Sequence, residues 1–255
     1  MKRHIVITRP AHQAGALCQL IQAAGGEVTL FPTLAIVPLE PTDETHTLLS
    51  QINHYDLIIF ISPNAVEYGL NLIQATTTLA DSIKLATIGQ GSAKTLQSKL
   101  GKEPDIVPEK NFNSEGLLAT PALQDNIQQK RILIIRGNGG REVLKATLEQ
   151  RGATVDYLEA YKRVKPSPPT GEIQLQLQNQ QIAAIVVTSA ESLKNLLELV
   201  PEVVNHQLLE TPLILMNSRL VAVAKEAGFN GRLFSVEEAS DEAIVKVLQE
   251  NNLLS

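Results

Sequence analysis

Residues Arg131 to Lys165 read RILIIRGNGGREVLKATLEQRGATVDYLEAYKRVK. An aliphatic strand pattern runs into a glycine-rich turn, an amphipathic helix pattern follows, and a second strand continues as an extended segment.

The same stretch opens the chain. Laid over Met1 to Pro38, Ile132 falls on Ile5, Arg136 on Arg9, Gly152 on Gly25 and Leu158 on Phe31, each pair 127 positions apart. The offset does not drift: Ser62 meets Ser189, Gly101 meets Gly228, Ser114 meets Asp241 and Leu117 meets Ile244 at the same 127. That period is too long for a solenoid repeat and suits a domain, so two copies of one unit are expected.

Composition agrees with this. At 255 residues and 44% apolar content, each half can bury its own core. Aromatic residues make up 4% and Trp is absent, so the cores must be aliphatic, as in parallel sheets covered by helices. A net charge of -5 and a pI of about 5.6 argue against a nucleic-acid groove or an anionic membrane surface as main partner. Cys18 stands alone on an apolar helical face, where it reads as a core thiol, and a single cysteine excludes an intramolecular disulfide. Met1 leads straight into a strand pattern without a signal-type apolar region, and no apolar run reaches the roughly 20 residues that span a bilayer. A cytoplasmic location is expected.

Strand patterns lie at His4–Thr8, Glu27–Phe31, Leu57–Ile61, Lys84–Ile88, Asp105–Val107, Ile182–Thr188, Leu213–Met216 and around Leu233, besides the two in the opening stretch. Helical patterns alternate with them: one over about Gln13 to Ala24, one from Ser62-Pro63, one ending at Gly101, one from Asn113-Ser114-Glu115 to about Asp125, one from Ser189, one ending at Gly228 and a last one from Ser240. This is α/β organisation with parallel sheets and about five strands per unit, as in a flavodoxin-like sheet.

Pro32, Pro38 and Pro41 mark one extended linker, about residues 32–41, and Pro166, Pro168 and Pro169 mark a second, about 159–169. Two divisions follow. A single cut near residue 127 would separate the copies; two crossings would make 37–165 an inserted domain and build the other from 1–36 plus 166–255. Pattern alone leaves both open.

Ligands of open parallel sheets gather at the carboxyl ends of strands, where loops enter helix N-termini. The expected binding turns are Thr8-Arg9-Pro10, Ser62-Pro63-Asn64, Gly89-Gln90-Gly91-Ser92, Arg136-Gly137-Asn138-Gly139-Gly140, Ser189-Ala190-Glu191 and Asn217-Ser218-Arg219. They expose backbone N–H groups and hydroxyls suited to anions. The structural alternatives are helix capping by Ser62, Ser114 and Ser189, and ion pairing by Arg9 and Arg136. RGNGGR lacks the third glycine of a dinucleotide fingerprint, and no Gly-Lys-Ser/Thr phosphate loop is present. His4, His12, His46, His54 and His206 show no metal-ligand spacing, so no metal site is expected. Tyr161 ends a strand just before a linker, where a phenol can donate to a departing oxygen without an altered pKa; a tyrosine packed on the linker with its hydroxyl in water is the alternative.

Taken in order, IVITRP, YDLIIFISPNAV, ATIGQGSAKTLQSKLG, RILIIRGNGGREVLKATLEQRGATVDYLEAYKR, IVVTSAESLKNLL and LILMNSRLVAVAKEAGF resemble the uroporphyrinogen-III synthase family over nearly the whole chain. The resemblance implies two similar α/β domains, one made from both chain ends, joined by a two-stranded linker with the active site between them. It also implies a cyclising hydro-lyase that closes hydroxymethylbilane to uroporphyrinogen III with loss of water and inversion of the last ring. No cofactor or metal is implied. Tyr161 matches the family tyrosine proposed to assist hydroxyl departure. Ser92 stands where many members carry Thr, and Ser218 matches a donor position loosely.

The alternative from another class is a non-enzymatic two-domain binder that closes on a small anion. A monomer is expected, with a linear tetrapyrrole substrate and a transient contact with hydroxymethylbilane synthase.

Overall fold

Strands in the computed structural model, which describes residues 3–125, 127–238 and 240–254, fall where aliphatic runs are bounded by glycine, proline or hydroxyl residues. Among the described residues they are β1 (His4–Ile7), β2 (Glu27–Leu30), β3 (Ala35–Pro38), β4 (Leu57–Phe60), β5 (Lys84–Thr87), β6 (Arg131–Gly137), β7 (Thr154–Val164), β8 (Ile182–Val187), β9 (Leu213–Leu215) and β10 (Leu233–Ser235). The chain divides into two compact units, Met1–Ala35 with Val164–Ser255, and Ile36–Arg163.

Each unit is built on a five-stranded sheet, ordered β10-β9-β8-β1-β2 in the first and β3-β7-β6-β4-β5 in the second. Numbered within its own unit from β1, the first sheet has the flavodoxin order. Both sheets are hybrids of the two sequence copies. The opening strands of one copy pair with the later strands of the other: β1 lies parallel to β8, and β6 lies parallel to β4. Thus β7-β6-β4-β5 matches β2-β1-β8-β9 position for position. The duplication also appears in the backbone, because Gly25 and Gly152 have φ of 89° and 90°, and Gly101 and Gly228 have 67° and 93°. All four follow helices, where a left-handed residue closes the last turn and glycine adopts it without steric cost.

In the first unit the core has two faces, as the period-two alternation of a strand requires. Ile5 and Ile7 of β1 pack with Leu17, Ile21, Ile244 and Leu248 on one face. Val6 packs with Ile173, Leu177, Leu193 and Leu196 on the other. Fully burying such a side chain contributes about 1.5–3 kcal/mol. In the second unit Leu57, Ile59, Ile132 and Ile134 meet Leu117, Leu144 and Leu148 on one face. On the opposite face the helix Pro63–Thr76 buries Val66, Leu70 and Ile73 at helical spacing. Gly69 lets that helix approach β6, since a Cβ there would stand 2.5 Å from Ile135 Cγ2.

Several expectations are corrected. Asp105–Val107 is not a strand; Ile106 forms a single bridge to Ala86. Pro104 and Pro108 bound it, and the Asp105 carboxylate itself takes the Leu85 N–H at 2.8 Å, replacing a ladder bond. The helix expected from 114 to about 125 is two, Ser114–Leu118 and Pro121–Gln124, because Thr120 before Pro121 is extended with φ -68° and ψ 141°. The cap of the first of these is Asn113, not Ser114: its side chain accepts the Gly116 N–H at 2.8 Å. The helices Asp43–Ser50 and Gly171–Gln178 were not read from the pattern. The first proline-marked segment forms β3 at the edge of the second sheet, where a proline is tolerated.

Candidate active site

Among the described residues the pairs β1–β2, β1–β8, β8–β9, β9–β10, β4–β5, β4–β6 and β6–β7 are parallel, so in each unit the turns after these strands share one carboxyl edge. In the second unit that edge brings together the turns after β6, β4 and β5. In the first it brings together those after β1, β8 and β9.

Tyr161 belongs to the second unit. Arg136 of β6 lies opposite Glu159, but Gly137 lies opposite Tyr161, so β7 carries one extra residue and bulges there. A bulge re-aims the side chain that follows it. The phenol oxygen comes 2.9 Å from Ser62 Oγ, and the ring tilts on Tyr68 with centroids 5.7 Å apart. Tyr161 is only 3% exposed, so its hydroxyl is held by Ser62 rather than by bulk water. Tyr68 is itself anchored, donating its hydroxyl to the Ile36 carbonyl at 3.1 Å.

Ser62 caps the helix Pro63–Thr76, accepting the Ala65 N–H at 3.0 Å. Asn64 stands in the first turn of the same helix. The neighbouring helix Gln90–Leu100 starts differently: Gly89 has no side chain to cap it, so no cap side chain takes its first-turn amides. Gly89 is packed against Phe112, and a Cβ on Gly91 would lie 3.7 Å from Pro63 Cγ, which places the two turns side by side. Ser92 is buried in the first turn of that helix.

The arginine of the glycine turn is committed to its own loop. Arg136 donates from Nε to the Gly137 carbonyl at 3.3 Å, from a terminal nitrogen to Glu142 at 3.0 Å, and from the other to the Gly139 carbonyl. Its guanidinium also lies 4.4 Å from the Tyr157 ring centroid. The Tyr157 hydroxyl bond and then the Arg136 bond hold the Glu142 carboxyl below its usual pKa. Burial, followed by the bond to Glu142, pushes the Tyr157 phenol up to about 12. Glu159 completes the clamp, accepting from Asn138 Nδ2 at 2.6 Å and Gly139 N at 3.1 Å, while Asn138 N donates to the Tyr161 carbonyl at 2.7 Å.

In the first unit Thr8 is fully buried. Its hydroxyl donates to the Val186 carbonyl at 2.7 Å, and so accepts from Ser192 at 2.9 Å. Thr33 extends the chain to Ser192 at 2.7 Å. Arg9 pairs with Asp241 and reaches Met216 Sδ at 3.7 Å. Ser189 caps the helix Ala190–Leu199 through the Ser192 N–H at 3.0 Å. Ser218 makes no cap bond, because Asn217 Oδ1 takes the Leu220 N–H at 3.2 Å instead.

Ser62, Gly91, Gly137 and Tyr161 are therefore one cluster, while Thr8 and Arg136 are engaged in holding their own surroundings. Tyr68 and Glu159, which fix Tyr161 and its turn, were not read from the sequence, and Asn138 was read only as a member of the glycine turn; the alternation of Glu159 and Tyr161 along one strand was the available signal. Among the described residues, no three His, Cys, Asp or Glu side chains stand where they could share a metal ion, and no helix is long and apolar enough to cross a membrane.

Fold and site together define a duplicated α/β protein of two flavodoxin-like units, with hydroxyls and backbone amides gathered at the carboxyl edges of parallel sheets. Residues 15–246 match the family model described as Uroporphyrinogen-III synthase HemD. A uroporphyrinogen-III synthase of Escherichia coli K12 is 31% identical over 247 residues, covering 96% of this chain and 99% of that one. The uroporphyrinogen-III synthetase structure from Helicobacter pylori covers 98% of this chain and 99% of its own at TM-score 0.61 and 16% identity. A mutant synthase structure from Thermus thermophilus covers 98% and 97% at TM-score 0.60 and 17% identity. The chain belongs to the uroporphyrinogen-III synthase family.

Proposed function

We propose that this chain is a cyclising hydro-lyase that converts the linear tetrapyrrole hydroxymethylbilane to uroporphyrinogen III, with loss of water and inversion of the last pyrrole ring. The observation that carries the reading is family membership across residues 15–246. It also sets aside a non-enzymatic anion binder built on the same plan.

The reaction asks little of a nucleophile. Loss of the hydroxyl leaves an electrophilic azafulvene that the tetrapyrrole's own last ring attacks. The protein must present the substituted carbon of that ring, giving a spiro intermediate, and this is catalysis by orientation. A tenfold preference for one closure needs only about 1.4 kcal/mol.

Tyr161 is the group assigned to the departing hydroxyl, donating its phenol proton as the C–O bond breaks. The substrate's carboxylates are assigned to backbone amides at helix starts, each contributing about 0.3–1 kcal/mol where exposed. The uncapped first turn after Gly89 supports this for the second unit. The turns at Ser189 and Ser218 are the corresponding candidates in the first. Arg9 and Arg136 are assigned to shaping those turns, since both already hold protein partners. The enzyme is taken to work in the cytoplasm as a monomer without a cofactor, meeting hydroxymethylbilane synthase transiently.

The test is to supply freshly prepared hydroxymethylbilane and resolve the uroporphyrin isomers after oxidation. Type III product is expected. Type I alone, as in an enzyme-free control, overturns the reading.

A further inference from the structure

The Ser62 hydroxyl sits between two partners whose order has a chemical consequence. It accepts the Ala65 N–H at 3.0 Å, in the first turn of the helix Pro63–Thr76, and lies 2.9 Å from the Tyr161 hydroxyl. One lone pair of the oxygen is thus used, and a second lone pair and the hydroxyl proton remain, so either hydroxyl can donate to the other. When the Ser62 proton points to the phenol oxygen, Tyr161 accepts from Ser62 and keeps its own proton for another acceptor.

We propose that Ser62 is a positioning residue that relays the positive end of the helix Pro63–Thr76 to Tyr161, instead of being a direct substrate contact. This rests on Tyr161 serving the departing hydroxyl, as assigned above. The chain of donors runs from Ala65 N–H to Ser62 Oγ, from Ser62 O–H to the Tyr161 oxygen, and from Tyr161 O–H to the leaving oxygen. Each bond polarises the next, and the helix terminus favours negative charge growing at the far end. When the substrate C–O bond breaks, the phenol proton joins the leaving hydroxyl as water, and the phenolate is held by the Ser62 O–H. The proton released when the closing pyrrole regains aromaticity returns to the phenolate, so the cycle balances.

Three features hold the relay in line. Gly137 leaves room for the ring, Tyr68 packs on it, and Asn138 N fixes the Tyr161 carbonyl at 2.7 Å. The helix is 14 residues long, enough to present a full terminus.

Substitutions at Ser62 separate relay from capping. An aspartate caps a helix as well as serine, but it cannot donate, and it draws the phenol proton to itself. Ser62→Thr, Ser62→Ala and Ser62→Asp are compared for kcat, KM and melting temperature on hydroxymethylbilane, alone and with Tyr161→Phe. The expected result is a kcat loss of about tenfold in Ser62→Ala, equivalent to about 1.4 kcal/mol, at nearly constant KM. Ser62→Asp loses at least as much kcat while melting like the parent, Ser62→Thr recovers most of it, and Ser62→Ala adds nothing on top of Tyr161→Phe. Parental kcat in Ser62→Asp, or a loss confined to KM, overturns the relay while type III formation by the parent leaves the function standing. A parent that makes only type I product overturns both.

Discussion

Gly137 and Tyr161 are packed so closely that a Cβ on the glycine would stand 2.7 Å from Cε2 of the phenol ring. No real Cβ tolerates that distance, and the tyrosine is boxed in by Tyr68 and Ser62 on other sides. The glycine is thus required by the placement of the phenol, since its own φ is not left-handed. Gly137→Ala is expected to push the ring off Ser62, lowering kcat several-fold and stability by about 1–3 kcal/mol through overpacking. Steady-state kinetics and urea unfolding check this; a variant matching the parent in both would contradict the packing described.

The two repeat-equivalent arginines make a matched comparison. Arg136 is 4% exposed at the side chain and donates to two carbonyls and a carboxylate, whereas Arg9 is 15% exposed and pairs with Asp241. Lysine keeps the charge but not the fork that reaches several acceptors at once. Arg136→Lys leaves carbonyls of the glycine turn unpaired, at roughly 1–3 kcal/mol for each buried one. It is expected to lose more stability than Arg9→Lys in parallel denaturation experiments. Equal losses would mean that the turn does not depend on the guanidinium.

Alkaline pH probes the same loop through Tyr157. Burial and the bond to Glu142 raise its folded-state pKa from 10 to about 12. A raised phenol favours the protonated folded state, so this contribution is complete below pH 10 and is lost as pH climbs toward about 12. Tyr157→Phe should therefore show a shallower fall in unfolding free energy across that window than the parent. Parallel slopes would remove Tyr157 from the linkage.

Much of the architecture was legible because its signals are local. Strand runs, the Ser62-Pro63 helix start and the left-handed glycines at 127-residue spacing are each contained in a few neighbouring residues. Elements whose local signal conflicts with their state were missed. GEIQLQLQ alternates with the period of a strand, yet it forms the helix Gly171–Gln178 because burying Ile173 and Leu177, four apart, decides the matter. The helix Asp43–Ser50 buries only Leu49, so almost no apolar periodicity marks it, although Thr42 caps it.

The site was legible as a set of turns and not as contacts. Ser62 and Tyr161 are 99 residues apart, and they meet only because β4 and β7 flank β6 and because β7 carries a bulge. Neither the strand order nor the bulge has a signature in the residues themselves. The buried hydroxyl chain of Thr33, Ser192 and Thr8 is hidden for the same reason, since each of its three members comes from a different element. Thr8 therefore reads as a turn donor in the sequence, while in the fold its hydroxyl closes onto Val186.

Tyr161→Phe, measured with the enzyme in excess over freshly made hydroxymethylbilane, tests the role of the phenol most directly. Phenylalanine keeps the buried ring that packs on Tyr68 and removes only the hydroxyl held by Ser62, so the melting temperature should stay close to that of the parent. The rate of type III formation is expected to fall by at least about tenfold, a loss of about 1.4 kcal/mol or more in transition-state stabilisation. Type III formation at the parental rate would contradict it.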